Sequence, residues 1–271
     1  MPNASLGETQ LSVHGSQFSA QTGERRVAII AALEREVQAV VKRWPSRERE
    51  YAGKGFRFFE REDAVLVCGG VGREAARLAA EAAVVLYRPA LVISAGFAGA
   101  LNVSLAAGEW VLPASVVDAR DGSRFETDIA RTGLEKTAAR HLVLVTTDEV
   151  AGPERKAVLA RSYAAQAVDM EAAAVAQVAR ANGLPFLAIK AISDDSAFEM
   201  PPVERFIKAD GGLNFWGLLA YAGPRVWLWP RLAQLGRNSS LASGALCSWL
   251  EDGVLWKSLV SPLLSKEVTT T

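Results

Sequence analysis

Short apolar runs and segments of helical periodicity alternate along this chain. The runs at 27–32, 91–94 and 186–192 are mostly apolar, which is the pattern of strands buried on both faces of a sheet. Segments 74–87 and 171–180 are so rich in Ala that we expect helices packed tightly against that sheet. Strands that alternate with helices in this way predict an α/β domain.

Less regular segments complete the pattern. A helix is predicted over 34–44, because Val37, Val40 and Val41 repeat at helical spacing and Pro45 ends the segment. Its first turn would hold the acidic residues Glu34 and Glu36, which follow the strand at 27–32. The other expected elements are a charged surface loop at 118–128 and strands at 56–60, 64–68, 108–117 and 141–145.

The two ends of the chain differ in composition from the middle. Residues 1–26 are rich in Ser, Gln and Gly and lack the apolar segment of a signal peptide, so we expect a disordered leader and a cytoplasmic protein. Residues 27–260 are expected to form a single domain, and residues 261–271 a flexible tail. The longest apolar segment, 213–229, is interrupted by Gly, Pro and Arg, so no membrane span is expected.

Composition narrows the kinds of ligand. The 271 residues include 30 Lys or Arg and 30 Asp or Glu, and this balance offers no basic field for nucleic acid. A small neutral molecule is a better match. Two cysteines far apart and two histidines do not give the spacing of a metal site, so we expect a reduced protein with neither metal nor cofactor.

Two acidic residues stand where chemistry is expected in an open parallel sheet. Glu171 lies at the start of a predicted helix, and Asp194 lies just past the strand at 186–192. Each residue alone is as well explained by a preference of acids for helix starts and caps. Two carboxylates in different surroundings near one sheet edge nevertheless suggest acid–base chemistry.

The order of these residues resembles a known superfamily. Met170-Glu171 followed by a small-residue helix, and then a strand ending in Ser193-Asp194, is similar to purine nucleoside phosphorylases and methylthioadenosine/adenosylhomocysteine nucleosidases. The resemblance implies a three-layer α/β sandwich with a mixed, largely parallel twisted sheet, assembled as a homodimer or larger homo-oligomer. It also implies that Glu171, beside Met170, binds the ribose, and that Asp194, oriented by Ser193, protonates the leaving purine.

The resemblance also bears on the attacking group. In the nucleosidase branch the last acid of a Glu-x-Glu-Val motif activates water, and Glu36 occupies that place. Several phosphorylases carry a phosphate-binding arginine at the position of Glu36, and well-known bacterial ones carry a second at the position of Ser94. Both arginines are missing here. The glycine-rich turn that ends in Gly72-Arg73 is a possible phosphate site, although close helix–strand packing explains the same glycines.

The base pocket departs from the usual pattern. The segment after the strand at 91–94 resembles the superfamily loop beside base and ribose, so Ala98 and Gly99 are expected to contact substrate through their backbone. Phe97 replaces a small residue, and Val150 stands where nucleosidases commonly have a stacking phenylalanine. The aromatic C-terminal segment either packs on the core or a subunit interface, or forms the mouth for a large apolar substituent.

Three functions follow from these residues. The first is cleavage of the N-glycosidic bond of a purine nucleoside or 5′-modified nucleoside, with water as the nucleophile. The second keeps the fold but uses phosphate as co-substrate, as in a nucleoside phosphorylase, including a hopanoid-associated one. The third is a nucleoside-binding protein without catalysis, which would not need two acids beside one sugar.

Overall fold

The computed structural model describes residues 26–132, 142–201, 203–206 and 214–264. Eleven strands within these ranges form one sheet. The strands are β1 (Val27–Ala31), β2 (Ser46–Tyr51), β3 (Lys54–Glu60), β4 (Ala64–Cys68), β5 (Leu91–Ala100), β6 (Trp110–Val111), β7 (Ser115–Asp118), β8 (Arg124–Glu126), β9 (Val143–Thr146), β10 (Ala167–Asp169) and β11 (Phe186–Asp194).

The sheet is mixed, as predicted. Its order is β2-β3-β4-β1-β5-β10-β9-β7-β8, and β11 pairs with β5 and β6. The central pairs β4–β1, β1–β5 and β5–β11 are parallel, and so are β10–β9 and β9–β7. Antiparallel pairs form the hairpins at both edges and also join β10 to β5 and β6 to β11.

Helices cover both faces of the sheet, which confirms the three-layer architecture. Alternate residues of β1 point into different cores, Ala28 and Ile30 toward α2 and α4, and Val27 and Ile29 toward α1, α6 and α7. The helices are α1 (Gln38–Val41), α2 (Arg73–Tyr87), α3 (Pro153–Tyr163), α4 (Ala172–Ala181), α5 (Phe215–Ala222), α6 (Trp229–Glu251) and α7 (Gly253–Leu264). Short 3₁₀ helices occupy Asp128–Thr132, Val203–Phe206 and Val226–Leu228.

The long strand β5 brings the functional ends of two other strands together. Its first residues pair with β1, and beyond Ser94 the same edge is taken by β10, which pairs at Gly99 and Ala100. On the other edge β11 follows β5 as far as the pair of Asp194 with Gly99. The ends of β10 and β11 therefore lie on either side of Gly99.

Several predicted boundaries were wrong. The helix expected over 34–44 is reduced to α1, because 34–37 forms tight turns with i→i−3 bonds such as Val37 N–H to Glu34 O at 3.2 Å. Glu36 therefore precedes the helix rather than standing in its first turn. The loop expected after 91–94 is extended β5, held by its hydrogen bonds to β11.

Two surface assignments also change. The charged segment 118–128 contains β8, in which Phe125 is buried between exposed neighbours and pairs with β7. Residues 261–264, expected in the flexible tail, form the last turn of α7, where Leu263 packs into the core. The rest of that tail, 265–271, and the expected leader up to residue 25 lie outside the described residues. No helix in the described part of the chain is both long and apolar enough to cross a membrane.

Candidate active site

A cavity of about 200 Å³ lies at the carboxyl ends of parallel strands, where open α/β sheets bind their ligands. Ala32 after β1, Thr147 after β9 and Asp169 at the end of β10 contribute to its wall. The wall also contains every residue that the sequence assigned to catalysis or substrate binding, namely Glu36, Phe97, Ala98, Gly99, Val150, Met170, Glu171, Ser193 and Asp194.

A β-bulge places Ser193 and Asp194 in this wall together. Neighbouring residues of a regular strand point to opposite faces, but the register of β11 against β5 shifts between Ile192 and Asp194. The Ser193 hydroxyl donates a hydrogen bond to Oδ1 of Asp194 at 2.6 Å. Ser193 and Asp194 are therefore in direct contact in the cavity wall.

The other oxygen of Asp194 accepts a hydrogen bond from a lysine that the sequence analysis did not single out. Nζ of Lys156, on α3, donates to Oδ2 of Asp194 and, at 2.6 Å, to the main-chain oxygen of Asp195. Both side chains of the ion pair are almost fully buried. Both oxygens of the Asp194 carboxyl group are thus engaged.

Two glycines of β5 leave the space that the acidic side chains occupy. A Cβ atom at Gly99 would lie 2.9 Å from Oδ2 of Asp194 and 3.2 Å from Cε of Lys156. A Cβ atom at Gly96 would lie 2.9 Å from Oε2 of Glu36. Gly99 therefore makes room for the ion pair. The sequence had predicted only a backbone contact between Gly99 and a ligand.

Glu36 has the surroundings of a general base. Its side chain is buried, and none of the described residues donates a hydrogen bond to its Oε2 atom. Burial raises the pKa of Glu36 to about 7, although the Lys190 ammonium opposes this rise. A base with a pKa near neutrality exchanges protons readily at physiological pH.

Glu171 is held by the glycine-rich turn. The N–H of Gly72 donates to Oε1 of Glu171 at 2.8 Å, and the N–H of Met170 donates to Oε2 at 3.2 Å. Burial raises the pKa of Glu171 to about 7, and the nearby Asp169 carboxylate adds to the rise. The amide expected as a phosphate ligand, that of Gly72, is therefore already bonded to a carboxylate.

The buried ammonium group of Lys190 balances the charge of Asp169, which contributes to the cavity wall. Nζ of Lys190 lies 2.9 Å from Oδ2 of Asp169 and donates to Oγ of Ser94 at 3.1 Å. Asp169 also accepts from the Thr146 hydroxyl at 2.6 Å and from the N–H of Ala172 at 2.9 Å. Every polar group of this cluster is paired, as burial requires.

Arg73 lies apart from the cavity wall. Its guanidinium forms two hydrogen bonds with Asp118, at 2.6 and 2.9 Å, and one with Asp148 at 2.9 Å. The fork that a phosphate ion would need is occupied by carboxylates in this arrangement. The structure thus brings the predicted catalytic and substrate-binding residues together in the cavity wall. Arg73 and Gly72 are not part of that wall, although the N–H of Gly72 is bonded to Glu171.

A second, larger cavity opens beside the first. Its volume is about 980 Å³, and it shares Arg35, Phe97, Leu218, Leu235 and Ser239 with the first cavity. Most of its wall comes from small and apolar side chains of α1, α5 and α6. Phe97 therefore stands between the two spaces, whereas Phe198 is buried outside both cavity walls.

Comparison with known proteins identifies the family. The family model described as "Phosphorylase superfamily" matches residues 26–145 and 140–210, which together are more than half of the chain. The chain belongs to the phosphorylase superfamily. A 5′-methylthioadenosine/S-adenosylhomocysteine nucleosidase of Geobacillus thermodenitrificans is 30% identical to this superfamily member over 198 residues, which cover 62% of this chain and 84% of the relative. The protein of the same name from Marinomonas sp. is 28% identical over 218 residues, with coverage of 67% and 91%.

The fold of this chain also occurs in solved structures. A 5′-methylthioadenosine/S-adenosylhomocysteine nucleosidase from Colwellia psychrerythraea, solved with adenine, has a TM-score of 0.63 and 21% identity. The match covers 89% of this chain and 96% of that one. The family match over residues 26–145 and 140–210 confirms the superfamily resemblance that Met170-Glu171 and Ser193-Asp194 carry in the sequence.

Three charged residues of this superfamily member were missed from the sequence. Lys190 could have been suspected, because a lysine inside an apolar strand needs a buried partner. Asp169 precedes Met170 and carried the signal of a helix-capping acid. Lys156 gave no signal, since it lies among the charged residues of an ordinary-looking helix. No group of three or more His, Cys, Asp or Glu side chains that could hold a metal ion occurs among the described residues.

Proposed function

We propose that this protein hydrolyses the N-glycosidic bond of a purine nucleoside, including 5′-modified nucleosides such as 5′-methylthioadenosine. The observation that carries the proposal is that Glu36, Glu171 and Asp194 line one cavity, each on a different element. The names of the relatives support the same reaction class, because both are called nucleosidases. The protein is accordingly an enzyme that acts on N-glycosidic bonds.

Each acid has a separate task in the proposed reaction. Asp194 gives a proton to the purine as the bond between C1′ and N9 breaks, which makes the base a better leaving group. Glu171 binds the ribose hydroxyls and places negative charge near the oxocarbenium-like sugar. Glu36 takes a proton from the attacking water through its unpartnered oxygen. The space for sugar and base is lined by Met170, Ala98, Gly99, Phe97 and Val150.

Water is favoured over phosphate as the nucleophile. Arg73 is committed to Asp118 and Asp148, and the N–H of Gly72 is committed to Glu171. Moreover, a buried carboxylate at position 36 would repel a phosphate ion that approached the sugar. Phosphorolysis is the alternative, and base release that requires phosphate in the assay below would favour it over hydrolysis.

The adjoining cavity supports a 5′ substituent. The cavity that holds the acids is only about 200 Å³, whereas its neighbour is about 980 Å³ and mainly apolar. A substituent that extends past Phe97 and Leu218 would bury apolar surface there, which stabilises binding by roughly 25 cal/mol per Å². We propose no cofactor for this reaction, since the acids and water suffice for hydrolysis.

The same proposal includes the cellular setting. Cys68 and Cys247 are both unpaired, which supports a reducing compartment such as the cytoplasm. The exposed side chains of Val226, Trp227 and Trp229 form an apolar surface, which supports assembly as a homodimer or larger homo-oligomer. The partner in catalysis is a small-molecule nucleoside rather than nucleic acid.

The test is release of the base from 5′-methylthioadenosine, adenosine and inosine, each with and without phosphate. Hydrolysis predicts release that does not depend on phosphate. Asp194→Asn should lower kcat by about 10²–10⁴-fold while nucleoside binding survives, because a general acid contributes on this order. Asp195→Asn is the matched control, since its carboxylate accepts a hydrogen bond from the Ala197 N–H and does not line the cavity. Binding of nucleosides without any release by the wild-type protein would contradict the proposal and favour a binding protein.

A further inference from the structure

Lys156 is the buried cation of the cavity that holds Asp194. The Lys156 residue is 2% exposed, and lysines are rarely buried this far unless they are paired. Its hydrogen bonds go to the Asp194 carboxyl and to the main-chain oxygen of Asp195. Both Lys156 and Asp194 line the cavity, so the pair is in reach of a bound ligand.

Lys156 and Asp194 are joined by a direct hydrogen bond, across which a proton can pass. An ammonium group has only donors, so Oδ2 of Asp194 accepts from Lys156, while Oδ1 accepts from the Ser193 hydroxyl. In an ammonium–carboxylate pair the exchangeable proton is on nitrogen. Asp194 can protonate a leaving base only if a proton reaches it first, and Lys156 is bonded to it directly.

We propose that Lys156 holds the proton that Asp194 passes to the leaving base, so that the general acid of this site is the Lys156–Asp194 pair. The inference rests on the proposed function of the site. Lys156 is a positioning residue in this scheme, because it acts through Asp194 rather than on the substrate.

The step balances in protons and electrons. The electron pair of the C1′–N9 bond leaves with the purine, and N7 of the purine takes a proton from Oδ2 of Asp194. Oδ2 in turn takes a proton from Nζ of Lys156, which becomes a neutral amine while the carboxylate keeps its charge. Water adds hydroxide to C1′ and gives its proton to Glu36. Solvent then returns a proton to Lys156 and removes one from Glu36.

The backbone beside the pair is shaped for it. Gly99 of β5 lies against both side chains, so that a methyl group there would meet Oδ2 of Asp194 at 2.9 Å and Nζ of Lys156 at 3.4 Å. The pair is enclosed on this side by main chain and is bounded by the cavity on another. The same enclosure strengthens the electrostatic interaction by excluding water.

Charged groups on the elements around Lys156 have other partners. α3 packs on β9 and β10, and β10 contributes Asp169, which pairs with Lys190 at 2.9 Å. Glu149, before α3, pairs with Arg155 at 3.3 Å. The remaining ionisable side chains that line the cavity are Arg35, Glu36 and Glu171. Replacing Lys156 therefore changes the charge next to one carboxylate and leaves these pairs in place.

The experiment compares Lys156→Arg and Lys156→Met with the wild-type protein, using adenine release from 5′-methylthioadenosine between pH 5 and 10. A guanidinium keeps the charge but does not give up its proton, so Lys156→Arg should lower kcat by about 10²–10⁴-fold with little change in KM. Lys156→Met leaves the carboxyl group to carry the proton alone, so its kcat should fall at a pH at least about one unit below that of the wild type. Arg161→Met, on the exposed face of the same helix, should leave the profile unchanged.

Folding is checked separately from proton transfer. Lys156→Met strands a buried carboxylate, whereas the double variant Lys156→Met/Asp194→Asn removes both charges and should melt close to the wild type. A folded Lys156→Arg enzyme with wild-type kcat, or a Lys156→Met enzyme with the wild-type pH profile, would overturn this inference but leave the proposed function intact. A wild-type protein that releases no base from any nucleoside would overturn the proposed function, and this inference with it.

Discussion

Glu36 links the stability of this protein to the pH at which it is active. Burial raises the pKa of Glu36 from 4.5 to about 7, so the folded protein keeps a proton there that the unfolded chain has already released. The stabilising contribution is fully present below about pH 4.5 and is lost as the pH rises through about 7. At about 1.4 kcal/mol for each pH unit between the two values, the loss amounts to roughly 3 kcal/mol.

The perturbation that isolates this effect is Glu36→Gln. The amide has nearly the same shape but does not titrate, so the variant should become more stable relative to wild type by roughly 3 kcal/mol between pH 5 and 8. Urea unfolding at several pH values measures the difference. Glu171, whose pKa is also raised to about 7, is present in both proteins, so its contribution largely cancels. Glu34→Gln is the control, because Glu34 is an exposed partner of Arg57.

The same variant tests the catalytic role of Glu36. As a general base it must be ionised, so wild-type kcat/KM should rise with pH and level off above about 7. Glu36→Gln should lose base release at every pH although it gains stability above neutrality. A stability difference between the two proteins that stays constant over this pH range would refute the burial argument, and a Glu36→Gln enzyme with wild-type turnover would refute the catalytic one.

Two further predictions concern residues around the cavity. Gly99→Ala should reduce kcat at least about 100-fold with the fold intact, because the added methyl group would lie 2.9 Å from Oδ2 of Asp194. Gly55→Ala is the control, since a methyl group there has open space and should change neither activity nor stability. Steady-state kinetics and thermal melting compare the two variants. Arg73→Ala should cost about 2 kcal/mol of unfolding free energy, because it leaves Asp118 without its charged hydrogen bonds, and base release should remain independent of phosphate. A loss of phosphate-dependent turnover in Arg73→Ala would instead restore its assignment as a phosphate ligand.

Much of the fold was predictable because burial leaves a direct trace in the sequence. The apolar runs of β1 and β11 and the Ala-rich helices α2 and α4 appear close to their predicted positions, since strands covered on both faces and helices packed on a sheet allow few polar residues. The errors fell on segments such as α1, where helical spacing of apolar residues does not reveal that 34–37 turns tightly. Tertiary contacts decide such short segments.

The predicted acids were found together because their positions at strand and helix ends follow from the topology of an α/β sheet. Their partners did not follow from it. Lys156 is separated from Asp194 by 38 positions, and no spacing rule connects a residue of α3 with one of β11. Likewise, the glycine-rich turn and Arg73 had the composition of an anion site, but in the fold the amide of Gly72 and the guanidinium are bonded to carboxylates.

The sequence by itself therefore determined the layers of this protein and the acids of its cavity, since periodicity and strand-end positions are local properties of the chain. Only the tertiary structure decided which groups are paired. The bulge that turns Ser193 and Asp194 to one side, the glycines that admit the acids, and the lysines that balance them depend on distances between elements remote in sequence. Those distances determine which carboxylate is paired with a lysine and which, in Glu36, keeps an unpartnered oxygen.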